Sequence, residues 1–216
     1  MKKTFFILIM IGFSFAGKAQ TETEDKVFFM GINGGIDYNM NANKLGLNET
    51  YGYKYLGMEP GYNIGIDLSM QATKKLKPRI ELRYVNLKYA IDWNPSPYKF
   101  GKTIVNVNYF DFNLHFDYSL VSGKKFQLFV SPALKFEIKG GEPTLSTDNW
   151  SVLQLKQPSD IAAIACSAIF KYNLSENTGL TLTPEYTYFL HEFATGNTNP
   201  YQRLGVNLGI EFKFGD

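Results

Sequence analysis

Near its end the chain alternates without a slip. In RLGVNLGIEFKF, Leu204, Val206, Leu208, Ile210, Phe212 and Phe214 fall on one face, and Gly205, Asn207, Gly209, Glu211 and Lys213 on the other. Period two over this length marks a β-strand with one dry and one wet face. Which face is inside stays open at this point. A soluble barrel turns its apolar face inward, whereas a membrane barrel turns it out against lipid.

The pattern recurs seven more times. Residues 27–38 set Phe28, Met30, Ile32, Ile36 and Tyr38 against Gly31, Asn33, Gly35 and Asp37. YNIGIDLSMQ sets Tyr62, Ile64, Ile66, Leu68 and Met70 against Asn63, Gly65, Asp67, Ser69 and Gln71. RIELRYVNLKY opposes Ile80, Leu82 and Tyr84 to Arg79, Glu81 and Arg83, then changes phase at Tyr84–Val85, which reads as a bulge. YFDFNLHFDY opposes Phe110, Phe112, Leu114, Phe116 and Tyr118 to Asp111, Asn113, His115 and Asp117. A fifth strand over 126–138 carries Pro132, tolerable at a bulge or a weakly paired position. The sixth, 161–174, is Ala-rich, and a preceding Ser could cap a helix. It reads as a strand because a tight Ser-Glu-Asn turn leads from it directly into the seventh, LTLTPEYTY.

The connections answer the question of faces. Strands two and three, four and five, and six and seven are joined by TKKLK, LVSGKK and SENTG. The other links, 39–60, 91–102, 139–159 and 190–200, are much longer. Short and long alternate around an even number of strands, with both termini on the short side, as in barrels with short periplasmic turns and long external loops. The wet face mixes small residues with charges of both signs, which fills a narrow eight-stranded lumen. The expected fold is therefore all-β: an eight-stranded antiparallel up-and-down transmembrane β-barrel, favoured over a soluble lipocalin-like one.

The N-terminus and composition agree. MKKTFFILIMIGFSFAGKAQ has two lysines, an apolar run too short to span a membrane as a helix, and small residues at Gly17 and Ala19. Residues 1–19 read as a signal peptide and 20–216 as the barrel domain. Removing the leader takes away three basic residues, Lys2, Lys3 and Lys18, and no acidic one, so the net charge passes from +2 to −1. The basic balance belongs to the leader and argues for no nucleic-acid partner. Charged residues make up only 19% of the chain, low for a soluble surface.

Three segments carry a resemblance: the leader ending in KAQ, the strand pair FKYNLSENTGLTLTPEYTYFL, and the last strand RLGVNLGIEFKF. Together they resemble the PorT-type outer-membrane β-barrel proteins common in Bacteroidota, over roughly residues 27–214. The resemblance implies an integral outer-membrane barrel without a cofactor and usually without an assigned activity. Such barrels often end on an aromatic residue, whereas here Phe214 is followed by Gly215 and Asp216.

Candidate chemistry is sparse. His115, flanked by Asp111, Asn113 and Asp117 on the wet face, reads as a member of an interior polar network. His191, beside Glu192 at the start of the last long link, stands where lipid A-modifying barrels carry a histidine, but no serine neighbours it. Two histidines and the single Cys166 do not supply a metal site. Tyr84, Trp93, Tyr109, Tyr172, Tyr188 and Tyr201 fall near strand ends and suit an interfacial girdle. The expected partners are outer-membrane lipids and, through the long loops, an extracellular ligand or envelope protein. The expected role is structural, scaffolding or loop-mediated binding without catalysis. The alternatives are a narrow channel and a lipid A-modifying enzyme using His191.

Mixed charges on the wet face point to an interior network of Asp67, Glu81, Arg83, Asp111 and Glu185 that plugs the lumen. With the TKKLK turn centred on Lys75, Asp67 is expected opposite Arg83, Ser69 opposite Glu81, and Gln71 opposite Arg79. Asp111 is expected to approach the same arginine. Arg203, near the loop end of its strand, is expected to matter less than Arg83.

Overall fold

The computed structural model describes residues 27–40, 53–93, 101–141, 144–145, 160–190 and 202–214. Among them eight long strands follow one another: β1 (Phe28–Met40), β2 (Tyr53–Met70), β3 (Leu76–Trp93), β4 (Gly101–Ser122), β5 (Phe126–Lys139), β6 (Asp160–Asn173), β7 (Thr178–Phe189) and β8 (Gln202–Phe214). Each pairs antiparallel with its sequence neighbours, and β1 pairs with β8 from Phe28↔Phe214 to Met40↔Gln202, which closes the barrel. A two-residue strand, Thr144–Leu145, adds to β4 at Val105 and Asn106. The Ala-rich β6 is a strand, pairing with β5 and β7 along its length.

Cα partners followed once round the wall run from Met30 through Leu68, Ile80, Leu114, Leu134, Ile164, Tyr188 and Gln202 to Met40. The path returns to β1 ten residues further along the strand, from Met30 to Met40, the stagger of a barrel whose strands tilt by roughly 35–45°. At this diameter side chains from opposite walls can touch.

The bulky apolar face is outside. Leu208, Leu68, Ile36 and Ile66 are exposed at 66%, 64%, 60% and 57%, while the side chains between them are buried. An apolar wall of this kind requires lipid, and the closed ladder leaves no strand edge within it.

The short turns are held by their own residues. Ala72 N and Thr73 N both donate to Leu76 O, and Thr73 Oγ1 accepts from Lys75 N and Leu76 N. This tight closure sets the β2–β3 register. Asp67 lies opposite Glu81, Ser69 opposite Arg79, and Gly65 opposite Arg83. The pairing expected from the sequence is therefore displaced by two residues.

The phase change at Tyr84–Val85 is not a bulge. The β3–β4 ladder runs without a break from Leu76↔Tyr118 to Trp93↔Gly101. The irregularities lie in β2's pairing with β3, between Tyr55 and Gly57 and between Glu59 and Tyr62. What changes at Tyr84 is polarity. Below it, charges face in and apolar residues face out. Above it, Val85, Leu87, Val107 and Tyr109 are buried inside, while Asn86 Nδ2 donates to Asn108 Oδ1 at 2.7 Å on the outer side. The strands invert because they leave lipid for water, where a barrel keeps its apolar residues inside.

Pro132 faces out, and the β4–β5 ladder skips from His115↔Ala133 to Tyr118↔Val130 around it. A proline cannot donate to the ladder, so it takes a position where pairing is already interrupted.

Candidate functional site: a charged lumen

Inward-facing positions on all eight strands converge on a lumen filled by polar side chains. Among the described residues, the buried charged groups are the cations Lys77, Arg79, Arg83, Lys135, Lys171 and Arg203 and the carboxylates Asp37, Asp67, Glu81, Asp111, Asp117, Glu137, Glu185 and Glu211. Most stand on β3, β4 and β5. They reach toward a wall of small residues on β1, β2 and β8, where Gly31, Gly35, Gly65, Gly205 and Gly209 leave room.

At the turn end, Lys77 Nζ donates to Glu211 Oε2 at 2.6 Å, and Lys171 donates to the other oxygen of the same carboxylate. Both ammonium groups also lie over the ring of Phe29, at 5.0 and 4.9 Å from its centroid.

In the middle layer Glu81 is the hub. Arg83 Nη2 donates to it at 2.8 Å, Asn33 Nδ2 at 2.8 Å and Asn113 Nδ2 at 2.9 Å, and His115 Nε2 stands 3.2 Å away. Arg83 also donates to Glu185 Oε1 at 3.2 Å, and Lys135 Nζ donates to that oxygen at 2.6 Å. Arg79 Nε donates to Asp117 Oδ2 at 3.0 Å.

Toward the loop end, Arg203 Nη1 lies 2.8 Å from Glu137 and 3.6 Å from Asp111. Its guanidinium stands 5.1 Å from the centroid of the Phe189 ring. Above this layer Val85, Leu87, Val107, Tyr109, Ile161 and Phe189 are all buried and cover the ion pairs with an apolar lid.

Of the five residues expected in the network, Arg83, Glu81 and Glu185 meet directly. Asp111 is the Cα partner of Arg83, yet its carboxylate faces Arg203 and Lys135, with Lys135 Nζ 4.0 Å away. Asp67 lies across from Glu81 and accepts from Asn33 Nδ2 at 3.2 Å. Lys135 and Arg203 stand beside them as full members, each on the inward phase of its strand. Arg203, expected to matter less than Arg83 because it lies near the loop end of its strand, is 1% exposed and ion-paired there. The sequence signal for it is the same alternation that opens the chain's last strand.

His115 is buried between two acids. Its Nδ1 is 3.2 Å from Ser131 Oγ, whose hydroxyl donates to Asp117 Oδ1 at 2.6 Å. A serine and a carboxylate thus flank an imidazole, the cast of a hydrolytic triad. The serine proton is already committed to Asp117. The adjoining cavity, lined by Asn33, Asp67, Arg79, Glu81, Asp117 and Asn207 among others, is about 30 Å³. That is room for a water molecule or two.

His191 and Glu192 lie outside the described residues, as do Tyr201 and the side chain of Trp93. Of the aromatics expected in a girdle, Tyr84 faces out at the loop end, tilted against Tyr62 and edge-on to Phe110 with ring centroids 6.3 and 5.6 Å apart. Tyr172 faces out at the turn end. Tyr109 does not belong to it: it points inward and is buried, because β4 has inverted its polarity at that height. Cys166 is exposed on the outer wall.

Together these features define an eight-stranded outer-membrane β-barrel fold with a packed, ion-paired interior. No protein-family model matches the chain, and no curated protein matches it. Among solved structures it is similar to the outer membrane protein OprG from Pseudomonas aeruginosa, at 14% identity over 89% of this chain and 96% of that one, with a TM-score of 0.56. It is also similar to Neisserial surface protein A, at 14% identity over 87% and 97% of the two chains, with a TM-score of 0.52. The outer membrane protein AlkL gives 12% identity over 89% and 90%, with a TM-score of 0.50. At these identities the likeness is one of fold.

Proposed function

We propose that this chain is an integral outer-membrane protein that acts as a closed scaffold, presenting a binding surface on its loop side and performing no catalysis. The observation that carries the reading is the filled lumen. Ion pairs occupy its length, an apolar layer covers them, and the cavity beside Glu81 has the volume of a water or two. A conduit for solutes needs a continuous polar path, which this packing obstructs.

The extension of β2, β3 and β4 beyond the polarity inversion supports the same reading, since it raises a built β-structure above the lipid. The reading includes residues 1–19 as an export signal and membership of the PorT-type group that the leader and strand motifs resemble. Its partners are outer-membrane lipids and a ligand or envelope protein met through the loops.

The test is cell fractionation combined with a folding assay. The mature chain is expected in the outer-membrane fraction, migrating faster unboiled than boiled on a detergent gel. Recovery as a soluble periplasmic protein would contradict the proposal. So would a lipid A acyl change that depends on the protein and disappears in His191→Ala.

A further inference from the structure

The short turns form a charged face that the loop-side reading does not use. The β2–β3 turn carries Lys74 and Lys75, the β4–β5 turn carries Lys124 and Lys125, and all four are exposed. The two turns are neighbours, because Ser119 N on β4 donates to Lys75 O at 2.8 Å. Among the described residues Lys75, Lys124 and Lys125 make no ion pair, and the one acid on the three turns is Glu176. Directly above them on β4 and β5 the wall shows Leu120, Val121 and Phe126, each about half exposed. A lysine ammonium at the foot of an apolar wall sits at the depth of lipid phosphates, with its alkyl stem along the wall.

We propose that this face binds the anionic headgroups of phospholipids in the leaflet on the turn side, gathering phosphates between the two lysine turns. The inference rests on the membrane placement proposed above. Lipid is favoured over a soluble polyanion because the lysines are continuous with exposed apolar residues, and a phospholipid supplies both halves of that match. The chief competitor is the chain's own acidic stretch QTETEDK, residues 20–26. It precedes Val27, whose carbonyl accepts from Gln71 N at 2.9 Å beside the first lysine turn.

The experiment is native mass spectrometry of the refolded mature chain, released from nanodiscs of phosphatidylcholine mixed with phosphatidylglycerol. The wild type is expected to retain phosphatidylglycerol in preference to phosphatidylcholine, and the preference should weaken as salt is raised. Each of Lys75→Gln, Lys124→Gln and Lys125→Gln should reduce it by up to about five-fold. Equal retention of the two lipids by a chain that still shows the folded-barrel gel shift would overturn the headgroup site and leave the barrel reading standing. A preference that survives the triple variant would also overturn it. A preference that emerges only after deletion of residues 20–26 would assign the lysines to the chain's own acidic segment instead. A chain that fails to enter nanodiscs at all would count against the membrane placement itself and so against both.

Discussion

Lys135 on β5 and Glu185 on β7 meet across the lumen, Nζ to Oε1 at 2.6 Å, both cut off from solvent. Arg83 on β3 shares that oxygen at 3.2 Å. Three strands are thereby tied through one carboxylate. Removing one partner strands a buried charge, a loss of about 3–5 kcal/mol, whereas removing both avoids the penalty. Glu185→Leu, which strands Lys135, is expected to lower the unfolding free energy by about that amount, and Lys135→Met by less, because Arg83 still pairs Glu185. The double variant should lose clearly less than the two together. Urea titrations of the refolded barrel measure all four corners of the cycle, and strict additivity would mean that the pair is not coupled.

Arg203→Ala is expected to destabilise the barrel about as much as Arg83→Ala. Both guanidinium groups are buried against two carboxylates, Glu137 and Asp111 for one and Glu81 and Glu185 for the other. The readout is again the unfolding midpoint in urea. An Arg203→Ala variant with the midpoint of the wild type would show that the loop-end layer contributes nothing.

The polarity inversion on β3 and β4 places the edge of the lipid between Tyr84 and Lys88. In a Cys166→Ala background, a membrane-impermeant maleimide added from outside should label Lys88→Cys. It should leave Leu82→Cys, on the same outer face of β3, unmodified. Equal labelling at both positions would place the boundary elsewhere.

Much of this was legible in the chain. Period two gives the strands and their faces, because the pleat itself has period two, and the alternation of turn lengths gives the membrane. Partners across the lumen were not legible. The pattern says that Arg203 points inward, but not that Glu137 stands across from it, since that depends on the stagger of the closed wall. The β2–β3 register was missed because the Thr73 hydroxyl closes the turn one position earlier than a turn centred on Lys75 would. Tyr84–Val85 misled for a different reason. A phase change looks the same in sequence whether the backbone bulges or the surrounding medium changes from lipid to water.

Glycine positions on the packed wall should divide sharply. A Cβ at Gly35 would stand 2.2 Å from Val206 O and from Asn207 Oδ1, whereas one at Gly34 would meet only Asn63 O at 3.3 Å. Gly35→Ala is expected to cost about 1–3 kcal/mol through overpacking, and Gly34→Ala appreciably less. The refolding yield and urea midpoint of the two variants decide it. Equal tolerance would indicate that the wall is not tightly packed against β8.

The most direct test of the closed lumen is single-molecule conductance of the refolded wild type in a planar lipid bilayer. Folding is verified beforehand by the gel shift of the same preparation, and insertion by co-flotation of the protein with lipid vesicles fused to the bilayer. Ion pairs under an apolar lid predict no steady conductance above the bare membrane. Sustained ohmic steps from the folded wild type would contradict the account, because they would require a continuous wet path where Glu81, Arg83, Lys135 and Glu185 are packed.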